Sequence, residues 1–543
     1  MASEPDVFLR KATGLVRSWS VTDAFIYAFF SINLVTLGLY IMSQAWYFQG
    51  GLIPALLLGA LFVIPETVVY ASLIAAMPRA GGDYVWQSRI LGGGLGYVLS
   101  ITGWCFILWL WTPLYADMLR HIVIVPLGAV LGFRDFALAV AVSPLAWFVV
   151  VLLTCVWVVI VIAKGMKTYA RVQKVCFWIG NAGLLVVIAL FVTGNPARFP
   201  HLFDQGMLQL FGVQNAYQAV ELAGTELGPT TPLFGGGFQA IMLLLPYLAF
   251  FNLWPNWGAT LYGEIRGSQD LRKNFYGMAA ALVVTTVLAI LFLLVLDRYM
   301  DFDFFMKANA VFWQHRWDPA SSAMILPVWP YPVLFALFGI ESVFVQVLVL
   351  LAMSAWFFGW AGTIYLSSTR ILFSASFDRL LPESIARVSP VTRTPVNALL
   401  VMVIPGVLVS ALYIWDVFGF SSLTLVSTLV IAVTFFGTSL SAVLLPFVKK
   451  DLYKASPLVN FRIGKIPLVS AFGLAFCLYL LFLFYQWFID PLELYGISYR
   501  NVTALVFTAV LYAGAALLYA GMRAWRRGHG IDVDKIYGEI PVE

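Results

Sequence analysis

The sequence predicts an all-α integral membrane protein with twelve transmembrane helices. Of the 543 residues, 61% are hydrophobic and only 11% are charged, whereas soluble domains carry about 25% charged residues. The polar residues cluster between apolar runs of roughly 20 residues or more, which is the length that crosses a bilayer. These runs are far too long for barrel strands, and a helix in lipid satisfies its own backbone hydrogen bonds.

Each apolar run defines one expected span. The spans are predicted near residues 20–48, 52–77, 96–125, 142–163, 173–194, 238–262, 274–297, 339–373, 396–415, 421–448, 466–489 and 502–524.

The distribution of lysine and arginine orients these spans. If the N-terminus is cytoplasmic, 25 of the 32 Lys and Arg residues lie in segments on the cytoplasmic side, and the other 7 lie outside. Cytoplasmic loops carry such an excess of basic residues. We therefore predict a multi-pass protein of the cell membrane with both termini in the cytoplasm. The net charge of +5 then reflects topology in a lipid bilayer and does not indicate a nucleic-acid partner.

The sequence lacks the motifs that are typical of metal sites, cofactor sites and hydrolytic sites. Cys105, Cys155, Cys176 and Cys477 all lie inside apolar runs, and no CxxC pair, HExxH motif or P-loop occurs. We therefore expect no disulfide framework, no metal, no cofactor and no enzymatic activity.

Four segments, all expected on the cytoplasmic side, carry motifs between the spans. They are Pro78-Arg79-Ala80-Gly81-Gly82-Asp83-Tyr84, Gly165 to Gln173 (Gly-x-x-x-x-Ala-x-x-Gln), Gly263-Glu264-Ile265-Arg266, and Thr369 to Pro382 followed by Thr394-Pro395-Val396. In this order they resemble the signatures of the amino acid–polyamine–organocation (APC) transporters. The resemblance runs from span one to span ten.

The resemblance implies the leucine-transporter type of fold, with two inverted repeats of five helices and two further C-terminal helices. It divides the chain into a cytoplasmic N-terminal segment (1–19), the first repeat (20–194), an outer loop (195–237), the second repeat (238–448), helices eleven and twelve (449–524) and a cytoplasmic tail (525–543). In such folds the first helix of each repeat is broken near the middle of the membrane, where the substrate binds.

We expect non-helical backbone within residues 30–38 and 249–258, and the residues at both expected breaks agree with this in part. Span six contains Pro246 and Pro255, and proline disrupts a helix interior; a merely kinked helix is the alternative. In span one the family usually carries Gly-x-Gly, whereas here Gly38 is the one glycine, accompanied by polar side chains. These side chains either line a site or bond back to their own helix. The departure weakens the expectation of carboxylate recognition. The predicted substrate-binding residues are Ser31, Ile32, Asn33, Thr36, Gly38, Trp104, Phe250, Asn252 and Trp254.

Glu66 is the predicted coupling residue. It lies 12 residues before Pro78, which corresponds to a depth of about 18 Å in a helix, whereas Asp23, Asp117 and Glu341 are expected nearer to helix ends and water. A carboxyl group at such depth relays a proton or a cation, or it stays protonated and hydrogen-bonds a neighbouring helix. The proton-coupled transporters that this chain resembles carry a lysine early in span five. This chain has Ile179-Gly180-Asn181-Ala182 at that place. Coupling through that lysine is therefore not expected, while coupling to a proton or to sodium stays open.

The resemblance implies a secondary active transporter, a permease that moves amino acids or related amines by alternating access as a symporter or antiporter. The alternatives are an obligate exchanger of the same fold and a transporter of another small organic solute such as a nucleobase. A channel would need filter rings and a membrane-embedded enzyme a cluster of acid or metal-binding residues; both are remote alternatives.

Overall fold

The computed structural model describes residues 14–320, 322–490, 492 and 494–538. Residues 1–13 of the predicted N-terminal segment and 539–543 of the predicted tail therefore lie outside the described residues.

The predicted fold class is confirmed. The described residues contain twelve helical segments that are long and apolar enough to cross a membrane, each overlapping one expected span. Spans one to twelve are Val21–Gln44, Leu52–Ala76, Gly93–Val130, Pro144–Ala163, Met166–Thr193, Phe238–Glu264, Leu271–Met300, Val343–Phe377, Val396–Ile414, Val417–Val448, Leu468–Ile489 and Val502–Gly528.

Several of these spans consist of more than one helical piece. Span one joins Val21–Ile32 and Leu39–Gln44 through a π-helical turn at Leu34–Gly38. Span six joins Phe238–Asn252 to a 3-10 segment at Trp257–Glu264. Span eight divides into Val343–Trp360 and Thr363–Phe377, and span ten into Val417–Leu423 and Thr424–Val448. Span three runs through Gly93–Ile101, Thr102–Phe106, Ile107–Leu110, Trp111–Leu119, Arg120–Ile124 and Val125–Val130.

Shorter elements connect the spans or follow the last one. The helices are Gly82–Ile90, Arg134–Val142, Pro196–Arg198, Phe199–Phe211, Ala216–Glu226, Phe302–Trp317, Pro332–Leu337, Lys450–Ala455, Pro457–Asn460 and Val533–Gly538. In the described part of the chain, the strand content is a two-residue hairpin in which Arg462–Ile463 pairs antiparallel with Ile466–Pro467. We call the face that carries Gly82–Ile90 the inner face, and the face that carries Phe199–Phe211 the outer face.

Span one lies at the centre of the bundle. It is the most buried of the twelve spans and span twelve the least. Span one packs against spans five, seven and eight, and span two packs against spans six, seven and eleven. Large apolar side chains such as Trp178, Leu185 and Leu517 are exposed on the outermost spans. An exposed apolar patch of this extent is the surface that lipid contacts.

Candidate functional site

Span one is interrupted at Asn33. This residue has φ 48° and ψ 90°, a backbone conformation that is uncommon for residues other than glycine. Its own side chain stabilises the interruption, because Oδ1 accepts the Thr36 N–H at 3.0 Å and Nδ2 donates to the Trp356 carbonyl at 3.1 Å. The interruption lies within the predicted stretch at residues 30–38.

Span six is interrupted between Leu253 and Asn256, within the predicted stretch at residues 249–258. Pro255 lies in this interruption, whereas Phe238–Asn252 continues as a helix through Pro246. The break predicted for span six is therefore confirmed, but only one of its two prolines coincides with it.

The two interruptions are neighbours. A Cβ added to Gly38 would lie 2.8 Å from the ring of Phe251, so the absence of a side chain lets span one approach the last helical turn before the break in span six. Both segments are buried in the molecule.

The predicted residues of span one differ in how they are bonded. The Ser31 hydroxyl donates to the Tyr27 carbonyl at 2.8 Å, so this side chain bonds back to its own helix, which was one of the two expected alternatives. Ile32 is completely buried. The Asn33 side chain is used in the interruption itself. The Thr36 hydroxyl is buried and has no hydrogen-bond partner among the described residues. Thr36 is therefore the side chain in this group that is left to bond a ligand.

Three predicted aromatic residues, Trp104, Phe250 and Trp254, belong to one aromatic cluster at the break in span six. Sequence reasoning missed its central member, Trp111, whose ring centroid lies 5.3 Å from that of Phe250 and 5.2 Å from that of Trp254. Trp257 stacks on Trp111 at 5.7 Å and contacts Trp104 at 4.4 Å. Aromatic rings at these separations attract each other beyond their burial. The spacing of seven residues between Trp104 and Trp111 was the available signal, since it places both on one helix face.

Glu66 lies in a second, polar cluster beside the same break. Both of its carboxylate oxygens are buried and have no hydrogen-bond partner among the residues described. Asp83, from the helix Gly82–Ile90, is also fully buried and is close enough to Glu66 to repel it electrostatically. Tyr70 and Thr438 donate hydrogen bonds to Asp83 Oδ1 at 2.6 and 2.5 Å. Sequence analysis did not indicate an acid beside Glu66, because Asp83 lies outside the spans, in the helix Gly82–Ile90.

The polar side chains of span six extend this cluster. Asn252 lies against Gly59 and Asn256 lies beside Tyr70, and both amide groups are buried without a hydrogen-bond partner in the described part of the chain. Positions 59, 66 and 70 lie on one face of a helix, since they are seven and four residues apart. Glu66 therefore faces the span that carries the break.

The structure differs from the sequence-based expectation for Asp117. This residue is fully buried inside span three and not near water at a helix end. It pairs with Arg120 of the same span and with Arg316 of the outer helix Phe302–Trp317. Arg316 brings its charge from a distant part of the sequence, which is why the burial of Asp117 could not be foreseen.

The outer face is open above the breaks and the inner face is closed. A cavity of about 560 Å³ is lined by Tyr40, which follows the break in span one, and by Tyr247, which precedes the break in span six. Outer-face residues such as Trp317 also line it. On the inner face, the Arg370 guanidinium donates to both oxygens of Glu264 at 2.7 and 3.2 Å. These two side chains are buried, and their pairing joins the inner ends of spans six and eight.

A backbone strap also covers the inner face. The Ser18 and Trp19 N–H groups donate to the Glu264 carbonyl at 2.9 and 3.1 Å, and the Arg266 N–H donates to the Trp19 carbonyl at 2.9 Å. The Trp19 indole donates to the Met166 carbonyl at 2.8 Å. The start of span one is thereby attached to the inner ends of spans five and six.

Comparison with known proteins agrees with this architecture. The family model described as amino acid permease matches residues 23–516. The chain is also similar to Uncharacterized protein 399 of Sulfolobus islandicus rod-shaped virus 1, with 22% identity over 387 residues, which is 70% of this chain and 69% of that protein. The family match covers the broken spans, the aromatic cluster and Glu66. The chain therefore belongs to the amino acid permease family of the APC superfamily.

Proposed function

We propose that this membrane protein of the amino acid permease family is a secondary active transporter that moves amino acids or related amines by alternating access. The observation that carries the proposal is the close approach of Gly38, beside the interruption in span one, to Phe251, beside the interruption in span six. An open cavity lies above these interruptions and the Arg370–Glu264 pair lies below them. Interrupted helices expose backbone dipoles to a solute inside the membrane. The open outer face and closed inner face correspond to one of the two states that alternating access requires.

The proposed substrate site comprises the predicted residues Ser31, Ile32, Asn33, Thr36, Gly38, Trp104, Phe250, Asn252 and Trp254, with Trp111 added. Thr36 and Asn252 bring buried polar atoms that have no hydrogen-bond partner among the described residues, and the aromatic cluster brings apolar surface. Sites for small solutes combine these two components.

For coupling, we propose that Glu66 relays a proton and that Asp83 takes part. Two neighbouring carboxyl groups with no lysine or arginine bonded to either, within the part of the chain described, favour a state that holds a proton. An obligate exchanger is the second candidate, because span five has Gly180 and Asn181 at the place where the proton-coupled transporters that this chain resembles carry a lysine.

The experiment is an uptake panel in proteoliposomes, with amino acids, amines and nucleobases tested with and without proton and sodium gradients. We expect amino acids or amines to be taken up, and Trp254→Ala to raise the KM by about tenfold through loss of a buried aromatic contact. Trp178→Ala is the matched control, because that indole is 71% exposed on the outside of the bundle. Uptake of nucleobases alone would overturn the substrate class, and equal effects of both variants would overturn the site.

A further inference from the structure

The outer cavity has a charged wall. Arg120 of span three and Arg316 of the outer helix Phe302–Trp317 both line it. Tyr40 and Tyr247, which lie within ten residues of the interruptions in spans one and six, line it as well. Tyr247 is three residues before Phe250 of the aromatic cluster. A solute that enters from the outer face therefore meets the two arginines before it reaches the interruptions.

These arginines share a single carboxylate. Arg316 Nη2 lies 3.1 Å from each oxygen of Asp117, and Arg120 Nη2 also bonds Asp117 Oδ1. The Tyr40 hydroxyl donates to Asp117 Oδ2 at 3.1 Å, and His121 Nε2 lies 3.5 Å from Oδ1. Tyr40 and His121 add no negative charge at neutral pH. Two guanidinium groups beside one carboxylate leave an excess of one positive charge in this cluster.

Tryptophan rings hold both guanidinium groups in place. The Cζ atoms of Arg120 and Arg316 lie 4.6 and 5.2 Å from the ring centroid of Trp147, and Arg316 Cζ lies 5.8 Å from that of Trp313. Cation–π contacts at these distances are attractive. The charged groups are thus fixed before any ligand arrives, which lowers the entropy cost of binding.

A buried donor of the cluster has no acceptor among the described residues. Arg120 Nε is buried and makes no hydrogen bond with the described residues. A buried guanidinium N–H without a partner is costly, and it is the observation, besides the excess charge, that indicates a ligand with acceptor oxygens.

We propose that Arg120 and Arg316 bind the carboxylate of an incoming amino acid in the outer cavity. This inference rests on the proposed transport function and narrows its substrate class to solutes that carry a carboxylate. The planar fork of a guanidinium matches the two oxygens of a carboxylate. Span one has Gly38 alone where the family usually carries Gly-x-Gly, so the arginines supply carboxylate recognition that the break provides less well.

The same cavity also offers a place for an ammonium group. Asp416 lines its wall, and its Oδ1 accepts the Ser421 N–H at 3.0 Å. Its carboxylate is exposed on the outer face, where it is open to a cation. A wall with both charges suits a zwitterionic amino acid better than an amine, because an amine can pair with Asp416 but has no carboxylate for the two arginines.

The test compares an amino acid with its decarboxylated amine, for instance L-phenylalanine with phenethylamine and L-leucine with isoamylamine. Binding and uptake are measured for the wild type, Arg316→Gln, and Arg134→Gln, which removes an exposed arginine of the outer face that does not line the cavity. We expect Arg316→Gln to weaken apparent affinity for the amino acid by about tenfold or more. The amine should bind equally to the variant and the wild type, and Arg134→Gln should change neither ligand.

Arg316→Lys provides the second variant if the glutamine protein does not fold. It keeps a charge opposite Asp117 but loses the fork, so we expect a smaller loss that is again confined to the amino acid. Equal effects on amino acid and amine, or wild-type affinity in both variants, would overturn the carboxylate subsite while leaving the transport function intact. Uptake of amines without any amino acid would also overturn it. Failure of both classes in the wild type would overturn the proposed function, and this inference with it.

Discussion

Tyr70 donates a hydrogen bond of 2.6 Å to Asp83 and lies one helical turn after Glu66 in span two. Tyr70 thus bonds the carboxyl group of Asp83, in the inner helix Gly82–Ile90, and shares a helix face with Glu66, the residue predicted to relay protons. Asn256 lies beside the same tyrosine, at the end of the interruption in span six. The two carboxyl groups therefore lie beside the part of the protein that must rearrange if the substrate site opens and closes.

The first prediction concerns Glu66→Gln. The amide keeps the size of the side chain but cannot take up or release a proton. A buried carboxylate without a cationic partner is several kcal/mol less stable than its neutral form, so the amide should mimic the resting state. We expect the variant to bind substrate and exchange it across the membrane but to lose accumulation driven by a pH gradient. Uptake and counterflow in proteoliposomes separate the two activities.

Glu341→Gln is the matched control, because Glu341 is exposed on the outer face. If Glu66 has only a structural role, Glu66→Gln will accumulate substrate like the wild type and Glu66→Leu will fold poorly. A wild type that ignores both proton and sodium gradients contradicts the relay and supports the exchanger.

The second prediction is a pH dependence of stability that originates at Asp83. Burial raises the pKa of Asp83 from 3.8 to about 6, although the hydrogen bonds from Thr438 and Tyr70 lower it. The folded protein therefore binds the proton more tightly than the unfolded chain does. This group stabilises the fold fully below pH 4, and its contribution is lost as the pH rises through about 6. The difference amounts to about 3 kcal/mol.

The measurement is thermal unfolding in detergent between pH 4 and pH 8, for the wild type and Asp83→Asn. The asparagine can still accept from Tyr70 and Thr438 but does not titrate. We expect the stability of the wild type relative to the variant to fall between about pH 4 and pH 6 and to level off above about pH 6. Parallel curves for the two proteins would contradict the assignment.

The spans could be predicted from sequence because the bilayer imposes a local rule. A helix needs about 20 apolar residues to cross, and such a run is visible without knowledge of any other part of the chain. The interruption near Pro255 was predictable for the same reason, since proline acts on its own helix. Pro246 was misleading, because its helix continues through it.

The polar clusters could not be predicted because their members are distant in sequence. Asp83 is buried by Thr438 from span ten, and Asp117 is paired with Arg316 from an outer loop. From sequence alone, a polar motif next to a span is predicted to be a surface turn. The motif becomes buried only when the fold packs other spans against it. Trp111 was hidden for a different reason, since aromatic residues make up 16% of the chain and most of them contact neighbours or lipid.

The third prediction concerns orientation. All four native cysteines are buried, so single cysteines introduced at exposed positions can be labelled against a low background. We expect a membrane-impermeant maleimide applied to intact cells to label Gln205→Cys, and to label Val391→Cys and Lys454→Cys only after permeabilisation. Val391 is 88% exposed on the inner face. Labelling of the two inner positions in intact cells would reverse the predicted topology.

The fourth prediction concerns the buried pair between Arg370 and Glu264. Their side chains are 0% and 1% exposed, with Nε and Oε1 2.7 Å apart. Glu264→Gln would leave the guanidinium charge buried without its carboxylate, and the loss of one partner of such a pair costs about 3–5 kcal/mol. We expect a large fall in the melting temperature of the detergent-solubilised protein.

Lys273→Gln is the control, because Lys273 pairs with Asp270 at 3.3 Å on the surface, where its side chain is 62% exposed. Such pairs contribute about 1 kcal/mol or less, so its melting temperature should stay close to that of the wild type. The double variant Glu264→Gln with Arg370→Gln should recover part of the loss, since no unpaired charge remains. If the double variant is less stable than Glu264→Gln alone, the cost lies in lost hydrogen bonds and not in a buried unpaired charge. If Glu264→Gln melts like the wild type, the pair does not stabilise the closed inner face.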